Sequence, residues 1–360
     1  MQLVDWSLAA ATGTRLVPPG PKIALAEAVA TVEDLRRTAD VADEHVARIT
    51  GLDVATGSAR TVVVDRPDWI RANVESFQLL ADPIIESLLE KRSVNAPSAL
   101  AATIGSRAAG VEVGVLLSYL GTRVLGQFEL LGPPKSAADD AAPGRLTLVA
   151  PNIVAAERAL GVDPQDFRLW VCLHEVTHRT QFAAAPWLHG HVQDLLREFL
   201  LASDLDAMAL LGRFKQAVSG LTSSAAGRSD LSLVEMIQTP EQRKILDRLT
   251  GLMSLLEGHA DVVMDLAGAG VIPSVGTIRE RFNQRRQDAR SFQRFMRRLL
   301  GVEMKMKQYA EGAEFVRAVL ADVGMAGLNL VWESPDRLPT GAEIRAPQQW
   351  LARVGAPPAA

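Results

Sequence analysis

The stretch CLHEVTHRTQF, residues 172–182, places two histidines four positions apart, with a glutamate directly after the first. Residues i and i+4 of an α-helix project from one face, so His174 and His178 can bind one metal ion. Glu175 lies one position on, where a carboxylate can reach a water molecule on that ion without binding the ion itself. The stretch therefore predicts a helix that carries a zinc site, with Glu175 as the general base of a hydrolytic reaction.

The residues around this motif predict that its helix is buried. Asp163 followed by Pro164 is typical of a helix start, and the helical pattern continues to residue 185. Apolar residues flank the motif, namely Trp170, Val171, Leu173, Val176 and Phe182. Burying two histidines and a glutamate costs free energy, which favours a metal site over ordinary histidines on a helix. Cys172 is expected to be a small buried apolar residue.

The motif supplies two metal ligands, and a zinc site of this kind needs a third. The extended pattern HExxHxxGxxH does not continue here, because Gln181 stands at the glycine position and Ala184 at the third histidine. Two later glutamates compete for the role. Glu198 follows the second histidine by twenty residues, and Glu257 lies in the stretch LLEGHADVVMD.

We favour Glu257, because Asp261 follows it by one helical turn. An aspartate in that position can accept a hydrogen bond from a ligand histidine and fix its tautomer. His189 and His191, which we expect in a loop, are weaker candidates because loop histidines are usually solvated. His259 points to a different face of its helix from Glu257, and we expect it near the pocket rather than on the metal.

Long helical patterns dominate the rest of the chain. They cover residues 24–51, 66–92, 98–129, 239–268 and 275–327. One strand candidate, residues 145–149, precedes the motif helix, and peptidases often bind an extended substrate along an exposed strand edge. Residues 130–145 form the clearest loop and a candidate lid, and 220–230 is the best candidate for a flexible connection. The patterns predict a mainly α fold with a small β element beside the motif helix.

Composition excludes several classes of protein. The 360 residues carry 38 Lys and Arg against 42 Asp and Glu, and a net charge of −4 argues against nucleic-acid binding. A single cysteine excludes an internal disulfide or a cysteine-rich metal cluster. No uninterrupted apolar run approaches the roughly 20 residues that span a bilayer. The N-terminal residues lack the basic region of a signal peptide. We therefore expect a cytoplasmic protein without a membrane partner.

Two further features leave alternatives open. Arginines crowd residues 279–298, which predicts an amphipathic helix with a solvated basic face, although one arginine could hold a substrate carboxylate. A nucleic-acid role for this stretch is disfavoured by the acidic balance of the chain. Tyr309 could donate a hydrogen bond to the oxyanion of a tetrahedral intermediate, or it could be an interfacial tyrosine.

Six segments together resemble a bacterial family of zincin-like metallopeptidases, some of whose members are labelled as associated with deazaflavin coenzyme biosynthesis. The segments are VLGQFE, LVAPNI, HEVTHRTQF, PWLHGHV, LLEGHADVVMD and KQYAEGAEFV, between residues 124 and 316. The resemblance implies a mostly helical zincin-like fold with His174, His178 and Glu257 as metal ligands and Glu175 as the catalytic residue. It implies no substrate, and the sequence shows no deazaflavin-binding or phosphate-binding loop.

We therefore expect one zincin-like domain over residues 1–360, with a possible helical subdomain at 1–130 and a metal-binding part at 145–327. The expected function is a Zn²⁺-dependent metallopeptidase, or a hydrolase of a related amide bond, that acts on a peptide or amide substrate. The alternative is a non-catalytic metalloprotein that retains the site for folding or partner binding. A structural zinc site is usually closed by four protein ligands, so three good ligands and a base favour the catalytic reading.

Overall fold

The computed structural model describes residues 3–52, 61–91, 99–129, 145–201, 240–288 and 307–355. Most of these residues lie in helices. In chain order the elements are α1 Trp6–Leu16, α2 Leu25–Thr50, β1 Thr61–Val64, α3 Arg66–Lys91, α4 Ala99–Leu120, β2 Gly126–Glu129, β3 Arg145–Val149, α5 Ala150–Leu160, α6 Pro164–Ala184, α7 Trp187–Leu201, α8 Pro240–Val271, α9 Val275–Asp288, α10 Lys307–Leu328, α11 Gly341–Ile344 and α12 Pro347–Val354. The mainly α fold and the small β element are confirmed.

The β element is a three-stranded sheet in the order β1-β3-β2. β1 runs parallel to β3 with Val62 opposite Thr147, and β2 runs antiparallel to it with Gln127 opposite the same threonine. The predicted strand at 145–149 is β3, but the expectation that it stands alone was wrong. The helix predicted over 98–129 ends at Leu120, and β2 follows it. Strands as short as TVVV and GQFE offer too few residues for a clear two-residue period.

The predicted start of α6 and the predicted end of α2 are confirmed by their capping contacts. The Asp163 carboxylate accepts hydrogen bonds from the backbone N–H groups of Gln165 and Asp166, which satisfies two donors at the start of α6. At the end of α2, Gly51 adopts a left-handed conformation with φ of 62°. Both boundaries could be predicted from sequence because a cap depends only on neighbouring side chains and backbone.

Helix α6, which carries the HEVTH motif, lies between two hydrophobic clusters. Its residues Val171, Leu173 and Val176 are buried in a cluster with α2, β3 and α5. Phe182, near its end, is buried in the second cluster with α7, α8, α10 and the C-terminal helices, and its ring stacks on Phe128 of β2. Contacts on both sides fix the helix, and hence the direction in which its histidines project. Cys172 is fully buried, as expected.

Helices α8 and α10 touch backbone to backbone. A Cβ atom on Gly312 would lie 2.0 Å from the Ser254 carbonyl oxygen, and one on Gly258 would lie 2.2 Å from the carbonyl carbon of Gly312. Only glycine fits this crossing, because real Cβ atoms essentially never approach other atoms so closely. The contact lies directly beside Glu257 in the sequence, so it holds the part of α8 that carries this glutamate.

One described helical stretch, Glu311–Trp332, is long and apolar enough to cross a membrane by length and composition alone. The sequence pattern does not indicate a span here, because charged residues interrupt the apolar runs. Nearly half of its apolar window, 44%, is buried inside the protein, and Phe315, Val316 and Val319 lie fully in the core. A core helix of a soluble protein passes the same test, so the stretch is weak evidence for a membrane span.

Other expectations fall partly or wholly outside the described residues. The loop at 130–145 precedes β3 and, except for its last residue, lies outside them, as does the connection at 220–230. The arginine-rich helix is described up to residue 288, as α9. Within it, Arg281 donates hydrogen bonds to the carbonyl oxygens of Leu160 and Gly161 at the end of α5, so this arginine has a structural role.

Candidate metal centre

The structure brings three side chains from α6 and α8 to one point. The Nε2 atoms of His174 and His178 lie 3.2 Å apart. Glu257 on α8 faces both histidines: its Oε2 atom lies 3.7 Å from Nε2 of His174, and its Oε1 atom lies 3.7 Å from Nε2 of His178. One ligand atom from each residue lies within 4.8 Å of the others, and all three side chains are partly exposed, so the cluster is accessible. Glu257 is far from the two histidines in sequence but close in space, because α6 and α8 pack side by side.

These separations fit a zinc ion. Two ligands of a tetrahedral zinc, each 2.0–2.2 Å from the metal, lie about 3.4 Å apart. The two Nε2 atoms are 3.2 Å apart, close to that value, and each carboxylate oxygen of Glu257 lies 3.7 Å from one of them. Two imidazoles and one carboxylate are also a donor set that zinc takes in catalytic sites. The residues present therefore suit the metal without rearrangement of either helix.

Glu175 lies beside this cluster and is buried. Burial raises the pKa of Glu175 to about 7, while the nearby His178 acts to lower it and Glu257 to raise it. The Glu175 side chain lies against the backbone of β2, because a Cβ atom on Gly126 would be 2.6 Å from its Cγ and Cδ atoms and 3.0 Å from Oε1. The glycine of VLGQFE thus leaves the space that the glutamate occupies.

Gln181 connects the two helices behind the histidines. Its Oε1 atom lies 3.0 Å from Nδ1 of His178. Its Nε2 atom donates to the carbonyl oxygen of Leu256 at 2.9 Å and lies 3.0 Å from Nδ1 of His259. Gln181 and His259 are both fully buried. Burial lowers the pKa of His259 to about 3, and the charge of His178 adds to this effect, so the His259 ring is neutral.

Asp261 lies on the side of His174 that faces away from Glu257. Its Oδ1 atom is 4.0 Å from Nδ1 of His174, which is longer than a direct hydrogen bond. The one-turn spacing from Glu257 to Asp261 therefore brings the aspartate next to a cluster histidine, as the sequence indicates, with a separation that a small side-chain movement or a water molecule would bridge.

The competing candidates lie elsewhere. Glu198 is on α7, half exposed, and forms an ion pair with Arg248 at 3.4 Å. His189 and His191 also lie on α7, so their expected position in a loop was wrong. The Nε2 atom of His189 lies 2.9 Å from Gln193, and burial lowers the pKa of His189. Within the described ranges, none of the three residues belongs to the group that could hold a metal ion.

Tyr309 lies in the first turn of α10, three residues before the Gly312 crossing. Its side chain is outside the described part of the structure, so its predicted contact with an oxyanion stays a prediction. His259 is close to the cluster through Gln181 rather than in contact with a shared ion, in agreement with the sequence-based expectation.

Comparison with known proteins agrees with this geometry. The sequence profile of the zincin-like metallopeptidase family matches residues 4–351. The chain belongs to the zincin-like metallopeptidase family. It also resembles a solved structure titled "Crystal structure of a putative hydrolase with a novel fold from Chloroflexus aurantiacus", with 32% sequence identity and a TM-score of 0.71. The similarity covers 98% of this chain and 99% of that one. No curated protein matches the chain.

Membership of the zincin-like family implies a metal, typically zinc, and supports hydrolase activity. Within this zincin-like site, motif spacing did not identify the residues that support the cluster rather than form it. Gln181 was noted only as a departure from a longer histidine motif. Gly126 and Gly312 were not singled out, although each occurs in a family-like segment, VLGQFE or KQYAEGAEFV. A glycine inside a strand or helix pattern is itself a signal of close backbone approach.

Proposed function

We propose that this zincin-like protein is a zinc-dependent peptidase, with His174, His178 and Glu257 as metal ligands and Glu175 as the general base. The observation that carries the proposal is the convergence of two histidine Nε2 atoms and the Glu257 carboxylate, a donor set that zinc takes, next to a buried glutamate. Membership of the family supports hydrolase activity in general. A metal ion beside a general base suits the hydrolysis of a peptide or related amide bond.

A bound zinc ion would polarise the scissile carbonyl and lower the pKa of the attacking water. Glu175 accepts the proton that this water loses as its oxygen bonds to the carbonyl carbon. The same carboxyl group then passes the proton to the leaving nitrogen as the C–N bond breaks. A pKa of about 7 suits both transfers, because a group that titrates near the working pH can accept and release a proton.

The β2 strand supports the choice of an extended substrate. β2 lies at one edge of the sheet, and its Gly126 contacts the general base. An extended peptide added along this edge would bring its carbonyl groups past Glu175. We further propose Tyr309 as the donor to the oxyanion, on the sequence evidence described above. A single domain, a cytoplasmic location, and the lack of nucleic-acid and membrane partners belong to the same proposal.

The non-catalytic alternative predicts a closed shell of four protein ligands. Within the described ranges the candidate group has three members, which leaves a position for water. The raised pKa of Glu175 also favours catalysis, because a structural metal site gains nothing from a buried general base. Both observations support the open, hydrolytic site.

Metal analysis and a peptide-library digest test this proposal together. The wild-type chain should carry about one zinc, and His174→Ala with His178→Ala should carry none. Glu175→Gln should keep the zinc and the fold and lose turnover by on the order of 10² to 10⁴-fold. Glu198→Gln is the matched control, because it makes the same change at an exposed glutamate outside the cluster, and it should be fully active.

Two results would contradict the proposal. Equal zinc content in the wild type and in the double histidine variant would show that the metal binds elsewhere. Full turnover by Glu175→Gln, in the presence of bound zinc, would show that another group acts as the base.

A further inference from the structure

We propose that Gln181 and His259 form a positioning relay that fixes the tautomer of His178 and so aims its Nε2 lone pair at the metal. This inference rests on the proposed metal site and assigns a function to two residues outside the ligand set. The relay runs from His178 on α6 through the Gln181 amide to His259 on α8, within hydrogen-bond distance at each step.

The relay works because its contact with the Leu256 carbonyl permits only one arrangement of donor and acceptor. The Leu256 carbonyl only accepts hydrogen bonds, so the Gln181 atom that faces it, 2.9 Å away, must be the amide nitrogen. The amide oxygen then faces Nδ1 of His178. An oxygen can only accept, so Nδ1 of His178 must carry the proton. The proton-free nitrogen of His178 is therefore Nε2, which is the atom that faces His174 and Glu257.

His259 adds a second contact to the Gln181 amide in the orientation that the Leu256 carbonyl sets. The second N–H of the amide points at Nδ1 of His259, 3.0 Å away. If the amide flipped, its oxygen would face the Leu256 carbonyl and its nitrogen would face His178. The flipped amide would then place a proton on Nε2 of His178, where it blocks a metal. The Leu256 carbonyl can only accept, so the flip would leave two oxygens facing each other, and an unpaired buried polar group costs about 1–3 kcal/mol.

Among the described residues, the contact with Gln181 is the polar contact that the His259 ring makes. Its Nε2 atom is buried and has no hydrogen-bond partner among the described residues. Its ring packs edge-on against Trp332, with 5.3 Å between ring centroids. A phenylalanine would make the same ring contact without a buried N–H, so the acceptor at Nδ1 is what distinguishes histidine here. Gln181 itself has all its polar groups paired across these contacts.

The relay also joins the two ligand-bearing helices. Gln181 follows His178 by three residues, and Leu256 directly precedes Glu257. The bond between Gln181 and the Leu256 carbonyl therefore spans α6 and α8 directly behind two of the three proposed ligands. One side chain thus sets both the tautomer of one ligand and its distance from another. Residues that orient ligands in this way typically change metal affinity by about 10 to 100-fold when they are removed.

The proposal is tested by measuring the tautomer of His178 in the metal-free full-length chain. Long-range ¹H–¹⁵N spectra report the tautomer of each of the six histidines of the chain. The wild type should show the proton on Nδ1. Gln181→Leu should shift His178 to a mixture of tautomers and weaken zinc binding by about 10 to 100-fold in competition with a chelator. Gln181→Glu keeps the acceptor and should keep the proton on Nδ1. His259→Phe keeps the ring but removes the acceptor for the second amide N–H, which lowers the cost of the flip and should shift part of His178 to the other tautomer.

Gln193→Leu is the matched control, because Gln193 also contacts a histidine, His189, but lies on α7 outside the relay. It should leave the His178 signal and zinc affinity unchanged. A wild-type spectrum with the proton on Nε2 would overturn the proposal, as would a folded Gln181→Leu variant with the wild-type tautomer and a zinc affinity within about 3-fold of wild type. None of these measurements requires turnover. The relay can therefore be tested even if the protein has no peptidase activity.

Discussion

Gly126→Ala tests whether the backbone of β2 holds the general base in place. The new Cβ atom would lie 2.6 Å from Cγ and Cδ of Glu175, whereas ordinary contacts begin at 3.4 Å. Glu175 or the strand must therefore move by about 0.8 Å. Rotation of the carboxylate alone gives no relief, because Cγ is as close as Cδ. A shift of about 1 Å in a catalytic group costs roughly 10²-fold in rate, so we expect kcat to fall by about that factor.

The assay separates this effect from damage to the fold or the metal site. Overpacking costs about 1–3 kcal/mol, which a thermal unfolding scan would register as a modest loss of stability. Zinc content should equal that of the wild type, because the three atoms nearest to the added Cβ all belong to Glu175 and none to a proposed ligand. Gly190→Ala is the control, since its Cβ atom would meet nothing within 4 Å. If Gly126→Ala retains turnover within about 3-fold of the wild type, the reasoning about the base is refuted.

Three further outcomes follow from the site and its surroundings. Glu257→Ala should abolish tight zinc binding in a chelator competition, and Glu198→Ala should leave it intact; the reverse result would exchange their roles. Asp261→Asn should weaken zinc binding by about 10-fold, and unchanged affinity would remove the aspartate from the site. Glu343→Gln should lower the free energy of unfolding by about 1 kcal/mol at pH 7, where it removes the charge that pairs with Arg353, and the loss should vanish in acid.

The sign of the Glu343 effect follows from its pKa. Burial acts to raise the pKa of Glu343, but hydrogen bonds from Arg353 and from Thr340 outweigh it and hold the pKa below its usual range. A lowered pKa in the folded state stabilises the protein above the pKa of the unfolded chain, and the contribution is lost as the pH falls through the folded value. Urea unfolding at pH 7 and below pH 4 compares the two regimes. An equal effect at both pH values would contradict the argument.

The sequence predicts the parts of this fold that depend on local chemistry. Asp163 with its proline and Gly51 at the end of α2 mark helix boundaries because capping involves neighbouring residues alone. The pair of glutamate and aspartate one turn apart also indicated which distant helix meets the histidines. β1 and β2 escaped prediction because four-residue strands gain their stability from a partner that is far away in sequence.

The supporting residues of the site were harder to predict for the same reason. The role of Gln181 depends on its contacts with His259 and Leu256, which lie on another helix, α8. In sequence it is a polar residue inside a helix, which is usually solvent-exposed, whereas in the structure it is fully buried. Motif spacing on one helix identifies residues that share an ion, but it carries no information about what the next helix places behind them.

The glycine crossing of α8 and α10 also fixes how far one helix can slide along the other. A shift of one turn would bring Val316 of α10 to the place of Gly312, against Ser254, where even a methyl group has no room. The register of the pair is therefore locked, and the backbone of Tyr309 stays about 4.5 Å along the helix axis from the crossing. Any movement that opens the metal centre would therefore have to leave the register of α8 and α10 unchanged.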